Sequence, residues 1–251
     1  MSETRRSPVV EMVTAPEAPP ETRIKRQFVN FAFYAVDPAW RRLPDAERAE
    51  GKREFLAVCQ RFEKGGGLLI PYSLVGIRAD CEFLMWRIHT ELEDMQAHTA
   101  ALLQIGLGKY LKASYSFLGM TKRSIYVDRI HPGHDEDRMF IVPGKYKYLF
   151  VYPFVKTRAW YMLDHEKRQK LMDGHIRMGT TYPSVKLNTT YSFGLDDQEF
   201  VVAFESDRPD DFLDLVMNMR ETEASSYTLR DTPTFTCLRS ASAAAMLDTL
   251  G

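Results

Sequence analysis

The spacing of apolar residues along the chain predicts two similar halves. Alternating apolar positions indicate strands, and amphipathic stretches between them indicate helices. The first half predicts strand, helix, strand, strand, helix and strand, at residues 27–36, 44–63, 68–77, 81–88, 91–105 and 110–120. The second half predicts the same order at residues 146–156, 164–174, 185–193, 198–205, 209–221 and 227–238. This is the element order of a ferredoxin-like unit.

Short motifs also recur between the halves. Tyr72-Ser73 returns as Tyr191-Ser192, and Asp80-Cys81-Glu82-Phe83 returns as Asp197-Gln198-Glu199-Phe200. A duplication explains these echoes better than coincidence. We therefore expect an α+β fold of two ferredoxin-like repeats, whose sheets lie face to face and enclose a pocket.

The composition of the flanking segments suggests where the repeats begin and end. Residues 1–23 read as a disordered tail, because they are rich in Ser, Glu, Pro and Arg and lack the apolar core of a secretory signal. A cytoplasmic location follows as an expectation. The repeats then occupy residues 24–125 and 146–251, joined by a long loop over 126–145 that could lie over the pocket mouth.

Charge and cysteine content exclude several classes of protein. The 33 Lys and Arg are spread among 34 acidic residues, with a net charge of −1, so we expect no nucleic-acid partner. No apolar run is long enough to cross a bilayer, so we expect no integral membrane segment. Cys59, Cys81 and Cys237 are far apart in apolar stretches, which favours buried free thiols over disulfides or a zinc site.

Candidate chemistry concentrates at the start of the second half. Strand alternation puts Tyr152 and Lys156 on one face, so both can line one cavity. Asp164 is a predicted N-cap of the next helix, which we expect to stop at His175, beside Gly174. A phenol, an ammonium and an imidazole in one strand–helix unit suggest a haem pocket. Taken singly, a Tyr or Lys on a strand more often lies at a sheet edge, and a His at a helix end more often caps the helix.

Seven motifs in order resemble the chlorite dismutase family, and specifically its coproheme decarboxylase branch. The resemblance covers residue 26 to about residue 239. The motifs are Phe28-Val29-Asn30-Phe31 with Trp40-Arg41-Arg42-Leu43-Pro44, Tyr72-Ser73-Leu74-Val75-Gly76, Tyr152-Pro153 with Lys156, Trp160-Tyr161-Met162-Leu163, His175, Gly194-Leu195-Asp196-Asp197, and Met219-Arg220 with Glu223-Ala224-Ser225.

The resemblance implies a dimeric α+β barrel of two ferredoxin-like repeats, often assembled as a homopentamer. It implies that His175 is the proximal iron ligand, that Tyr152 forms the oxidising radical, and that Lys156 lies near the reactive propionate. Arg138 and Ser225 match residues that contact propionates, and Trp160 is expected to pack around the proximal side of the cofactor.

The distal side departs from the chlorite dismutases. Where they have an arginine that holds chlorite, residue matching places Asn188, whose neutral amide supplies no permanent cation. Chlorite chemistry is therefore disfavoured. A group of decarboxylases uses a loop histidine as distal base, and here that loop offers His131 and His134, of which we favour His134.

The implied reaction is the hydrogen peroxide-dependent oxidative decarboxylation of iron coproporphyrin III (coproheme), which is both substrate and redox centre. Two propionates would become vinyls, giving haem b, and a transient contact with a ferrochelatase is expected. The alternatives are a chlorite dismutase-like or peroxidase activity and a haem-binding protein without turnover.

Overall fold

The first half of the chain folds in the predicted order. The structure is a computed structural model that describes residues 25–124, 126 and 140–251. The elements of the first half are strand β1 (Phe28–Val36), helix α1 (Asp45–Lys64), strands β2 (Leu68–Ser73) and β3 (Phe83–His89), helix α2 (Leu92–Gln104) and strand β4 (Leu111–Met120).

The second half repeats this order with additions. Its elements are strand β5 (Tyr148–Lys156), helices α3 (Arg158–Met162) and α4 (His165–Thr180), strands β6 (Val185–Tyr191) and β7 (Phe200–Ser206), helix α5 (Pro209–Arg220), strands β8 (Thr228–Arg230) and β9 (Phe235–Arg239), and helix α6 (Ala243–Asp248). The strand predicted over 227–238 is divided in two. Pro233 lies in the gap, where a residue without an N–H cannot continue a ladder.

Helix α4 is longer than predicted. It begins as expected, with the carboxylate of Asp164 accepting a hydrogen bond of 2.7 Å from the backbone N–H of Lys167. However, it continues past Gly174 to Thr180, so the prediction that it stops at His175 is wrong. One glycine inside a helix costs only about 1 kcal/mol, too little to end a helix by itself.

The strands of both halves close into one barrel. Their order is β7-β6-β4-β1-β3-β2-β9-β5, and a pairing between β5 and β7 completes the circle, while β8 lies alongside β5. The halves join where Met120 pairs with Tyr191 and Tyr72 with Arg239. Gly119 permits the close approach of β4 and β6, because a Cβ at this position would lie 2.5 Å from the hydroxyl oxygen of Thr190. The predicted α+β fold of two ferredoxin-like repeats is thus confirmed.

Apolar side chains from both repeats fill the barrel, so the prediction that the two sheets enclose a pocket is wrong. Phe33 of the first repeat stacks on Phe235 of the second, with ring centroids 4.0 Å apart. All three cysteines are buried and free, as predicted. None of the helices in the described residues is long and apolar enough to span a membrane.

The layer between helices and sheet differs between the repeats. In the first repeat it is a continuous apolar core that includes Trp40 and Phe55. In the second repeat the apolar contacts are fewer: Phe150 stacks on Phe212 at 3.9 Å, and a small cluster surrounds Trp160. Among the described residues, apolar side chains therefore fill less of this layer in the second repeat than in the first.

Candidate functional site

The candidate site lies on the helix-facing side of β5. In the antiparallel register, Tyr152 pairs with Val202 and Val202 pairs with Thr189, so these three side chains share one face. The ring of Tyr152 lies 6.2 Å from that of Phe204, which in turn contacts Phe212 of α5. Tyr152 therefore points towards the helices and away from the barrel interior.

The phenol of Tyr152 is held in its protonated form. Burial raises its pKa, the carboxylate of Asp231 acts in the same direction, and the guanidinium of Arg220 opposes them. Arg220 and Asp231 form an ion pair beside it. Among the described residues, none forms a hydrogen bond with this hydroxyl.

Lys156 lies at the end of β5, next to a register shift between β5 and β8. Its ammonium donates a hydrogen bond of 2.8 Å to the backbone carbonyl of Ala224 and lies 4.5 Å from the ring centroid of Trp160. Burial lowers the pKa of Lys156 to about 8, and the carboxylate of Glu199 limits that fall. The side chain thus keeps most of its positive charge at neutral pH and can bind an anion.

His175 lies within α4 in the same layer. Burial lowers the pKa of its imidazole to about 4, and the positive charge of Lys156 adds to the effect. The imidazole is therefore neutral at neutral pH and has a lone pair for a metal. A single histidine is a common protein ligand of haem iron.

Two further predicted residues lie at this site. Trp160 is buried and its ring supports the ammonium of Lys156, a cation–π contact. The hydroxyl of Ser225 donates a hydrogen bond of 2.7 Å to the backbone carbonyl of Arg220, which orients the hydroxyl. The predicted residues His131, His134 and Arg138 lie outside the described residues.

The structure does not bring Asn188 to this face. Asn188 pairs with Ala203, on the side of the sheet that faces the barrel interior. It is 6% exposed, and its amide donates a hydrogen bond of 3.0 Å to the buried carboxylate of Glu205. Its neighbours in β6, Leu187 and Thr189, point to the face of Tyr152 instead.

The first repeat shows what the same positions look like without the site. Trp40 and Trp160 are equivalent tryptophans, each following the first strand of its repeat and each buried. Counting from them, Tyr152, Lys156 and His175 correspond to three residues of the first repeat that are at most 3% exposed, namely Ala32, Val36 and Phe55. Small or apolar residues fill the layer in one repeat, and titratable ones line it in the other.

Two residues at the site were not assigned a role from the sequence. Glu199 lies in the repeated Asp-x-Glu-Phe turn and accepts hydrogen bonds from the backbone of Lys156 and the hydroxyl of Tyr161. Arg220 lies in a motif of the resemblance and contributes to the charge around Tyr152. Because the turn recurs in both halves, the sequence could have indicated a role for Glu199. The residues that bind its carboxylate could not be predicted, because they depend on tertiary contacts.

The residues present fit an iron porphyrin. The neutral imidazole of His175 would hold the iron, the ammonium of Lys156 would bind a carboxylate of the porphyrin, and the aromatic rings of Tyr152 and Trp160 would supply apolar contacts. Such a group would lie in the helix–sheet layer of the second repeat, where the apolar cluster of described residues is small.

Comparison with known proteins agrees with this fit. Residues 40–240 match the family model described as chlorite dismutase. A coproheme decarboxylase of Mycolicibacterium smegmatis is 28% identical over 84% of this chain and 88% of its own length. One from Staphylococcus carnosus is 31% identical over 77% of this chain and 84% of its own length.

Solved structures show the same architecture. A chlorite dismutase of Candidatus Nitrospira defluvii in complex with imidazole superposes with a TM-score of 0.81 at 26% identity, covering 89% of this chain and 94% of that one. A heme-binding protein of Thermus thermophilus gives a TM-score of 0.79 at 25% identity, covering 91% and 96%. The chain belongs to the chlorite dismutase family.

Proposed function

We propose that this protein binds iron coproporphyrin III and converts two of its propionates into vinyl groups with hydrogen peroxide, giving haem b. The observation that carries the proposal is the contrast between the repeats. Tyr152, Lys156 and His175 line the helix–sheet layer of the second repeat, whereas the equivalent positions of the first are filled by small or apolar side chains. The names of the relatives, coproheme decarboxylase, support the same substrate.

His175 would hold the porphyrin iron through its neutral imidazole. The bound iron porphyrin supplies the oxidation chemistry with peroxide. His134, with His131 as the alternative, is proposed as the base that accepts a proton from peroxide. Each turnover consumes one propionic acid side chain and one hydrogen peroxide, and it yields one vinyl group, carbon dioxide and two water molecules.

Lys156 and Tyr152 would act on the propionate together. The ammonium of Lys156 binds the carboxylate, and Arg138 and Ser225 are proposed as further contacts. Tyr152 is proposed to lose its phenolic hydrogen and then to take a hydrogen atom from the β-carbon of the held propionate. The partial burial of Tyr152 and the lack of a hydrogen-bond acceptor among the described residues support a role in which the phenol serves the substrate.

The face of β6 that points to Tyr152 does not favour chlorite chemistry. It carries Leu187, Thr189 and Tyr191, none of which is a cation that could hold chlorite. Decarboxylation is therefore the better candidate.

The proposal extends to assembly and location. Several apolar side chains are exposed on the second repeat, including Met162 at 85% and Leu229 at 68%. Contact between subunits would cover such side chains, which supports association of the chain with itself. The homopentamer itself is proposed from the resemblance to the family. We place the protein in the cytoplasm, in transient contact with the ferrochelatase that supplies its substrate. Light scattering of the purified protein tests the assembly.

The decisive experiment loads the protein with ferric coproporphyrin III, titrates it with hydrogen peroxide and follows the porphyrin masses. We expect two successive losses of carbon dioxide and two hydrogens, ending at haem b. The matched control is His175→Phe, which introduces the residue type of the first repeat and should abolish iron ligation. Bleaching of the porphyrin without these mass changes would rule out the decarboxylase and leave chlorite turnover or haem binding.

A further inference from the structure

One carboxylate oxygen of Glu199 joins two parts of the site. Its Oε2 accepts a hydrogen bond of 2.8 Å from the backbone N–H of Lys156 and one of 2.6 Å from the hydroxyl of Tyr161. The backbone of Glu199 is fixed as well, because its N–H donates to Phe154 and its carbonyl accepts from Ser192. The side chain is therefore held between the end of β5 and helix α3.

This arrangement determines where the side chain of Lys156 points. The end of β5 changes register against β8 at this residue, and a strand loses its regular alternation where it bulges. The bond from Glu199 fixes the Lys156 backbone at that point. From there the ammonium reaches the carbonyl of Ala224 and the ring of Trp160.

The first repeat contains the same carboxylate without the lysine. Oε2 of Glu82 accepts a hydrogen bond of 2.9 Å from the backbone N–H of Val36, and Oε1 of Glu82 lies 3.5 Å from the guanidinium of Arg41. Val36 and Arg41 are the equivalents of Lys156 and Tyr161. The bond from carboxylate to strand is thus common to both repeats, but in the second repeat it fixes a residue that can bind an anion.

We propose that Glu199 is a positioning residue, which holds Lys156 in the orientation that binds a carboxylate of the porphyrin. The inference rests on the proposed function, because that function assigns the carboxylate to the porphyrin. It adds a determinant of specificity. Coproporphyrin III carries four carboxylates and haem b carries two, so a correctly oriented Lys156 favours the substrate over the product.

A double-mutant cycle tests the coupling. The dissociation constants of ferric coproporphyrin III and of haem b are measured for the wild type, Glu199→Ala, Lys156→Met and the double variant. We expect each single variant to weaken coproporphyrin binding, relative to haem b, by about tenfold, and the double variant to be no weaker than Lys156→Met alone. If the two losses of relative affinity multiply in the double variant, the two residues act independently and the inference is overturned.

The first repeat supplies the matched control. Glu82→Ala removes the equivalent bond to the strand and should reduce stability to a similar extent, but it should leave the ratio of the two affinities unchanged. If Glu82→Ala changes the ratio as much as Glu199→Ala does, the effect is merely structural and the inference fails. Should Glu199→Ala fail to fold, the cycle is run with Glu199→Gln, which keeps a weaker acceptor and should lie between the wild type and the alanine variant.

A measurement without porphyrin separates this inference from the proposed function. The rate at which an amine-acylating reagent modifies Lys156 is followed by peptide mass. Glu199→Ala should raise that rate by more than about threefold, because the ammonium is no longer held against Ala224 and Trp160, and Glu82→Ala should not. An unchanged rate overturns the positioning role even if decarboxylation occurs. A raised rate in a protein that does not decarboxylate coproporphyrin would reject the proposed function alone.

Discussion

Tyr152 and Asn188 lie on opposite faces of one antiparallel sheet. Tyr152 pairs with Val202 and faces the helices, whereas Asn188 pairs with Ala203 and faces the barrel interior. The buried carboxylate of Glu205 accepts hydrogen bonds from the amide of Asn188 and from the backbone N–H of Gly144. A buried polar pair therefore lies on one side of these strands, and the residues proposed for the chemistry lie on the other.

Replacing Asn188 should affect folding more than chemistry. Asn188→Ala removes a hydrogen bond from a buried carboxylate, so the free energy of unfolding should fall by about 1–3 kcal/mol, as denaturant titration measures. Porphyrin affinity and the peroxide reaction of the folded protein should stay as in the wild type. Thr189→Val, on the other face, is the comparison and should change stability by no more than about 0.5 kcal/mol. A variant of Asn188 that is fully stable yet defective in the peroxide reaction would contradict this view.

Replacing Tyr152 should separate binding from reaction. Tyr152→Phe keeps the ring and removes the hydroxyl, so coproporphyrin should bind as before while vinyl formation falls to below about one hundredth of the wild-type rate. Porphyrin mass after peroxide addition measures the second quantity. Tyr148→Phe, on the same face of the same strand, is the control and should react normally. Normal vinyl formation in Tyr152→Phe would remove the tyrosine from the mechanism.

Porphyrin affinity should depend on the protonation of Lys156. Burial lowers its pKa to about 8, so its ammonium is present below that pH and is lost as the pH rises through it. The affinity for coproporphyrin should therefore decline between about pH 7 and pH 9 in the wild type, whereas this decline should be absent in Lys156→Met. Absorbance titration across this range provides the measurement. The same decline in both proteins would mean that another group is responsible.

Acid stability should depend on Asp80 in the first repeat. Hydrogen bonds from Arg78, at 2.9 and 2.6 Å, and from the hydroxyl of Tyr115, at 2.7 Å, lower the pKa of Asp80 to about 2. A depressed carboxyl pKa stabilises the fold above the unfolded value of 3.8 and loses that effect as the pH falls through about 2.

The test compares Asp80→Asn with the wild type. Asp80→Asn should be less stable at pH 5, and the difference should narrow towards pH 2 in denaturant titrations at about those pH values. Asp210 is the matched control, because Arg208 lowers its pKa to about 2 as well, but the pair is on the surface. Asp210→Asn should change stability little at any pH. An equal loss in both variants would show that the hydroxyl partner of Asp80 is unimportant.

The sequence was sufficient to predict the fold, whereas the roles of the site residues stay predictions. Alternation and the repeated turn indicated two ferredoxin-like units, and spacing grouped Tyr152, Lys156 and His175; in the structure the positive charge of Lys156 helps to lower the pKa of His175. Predictions made by counting residues were wrong where the local three-dimensional structure decides the outcome. Gly174 resembled a helix end but lies inside α4, and a position matched by residue count assigned Asn188 without regard to which way its strand faces.

Other features could not be obtained from local patterns. The bond between Glu199 and the backbone of Lys156 joins segments far apart in the chain, so it depends on the register of β5 against β7. The roles of His131, His134 and Arg138 stay predictions.

The closed barrel makes the two repeats a single mechanical unit. Strand β5 pairs with β7 and β9 of its own repeat, and the first repeat completes the circle through the pairs β2–β9 and β4–β6. The strand that carries Tyr152 therefore has no free edge along which it could move independently. The first repeat, with its continuous apolar core, thus supports the sheet from which Tyr152 projects. On the proposed function, duplication divides the work between two copies: one keeps an apolar core beneath its helices, and in the other this layer would hold a ligand.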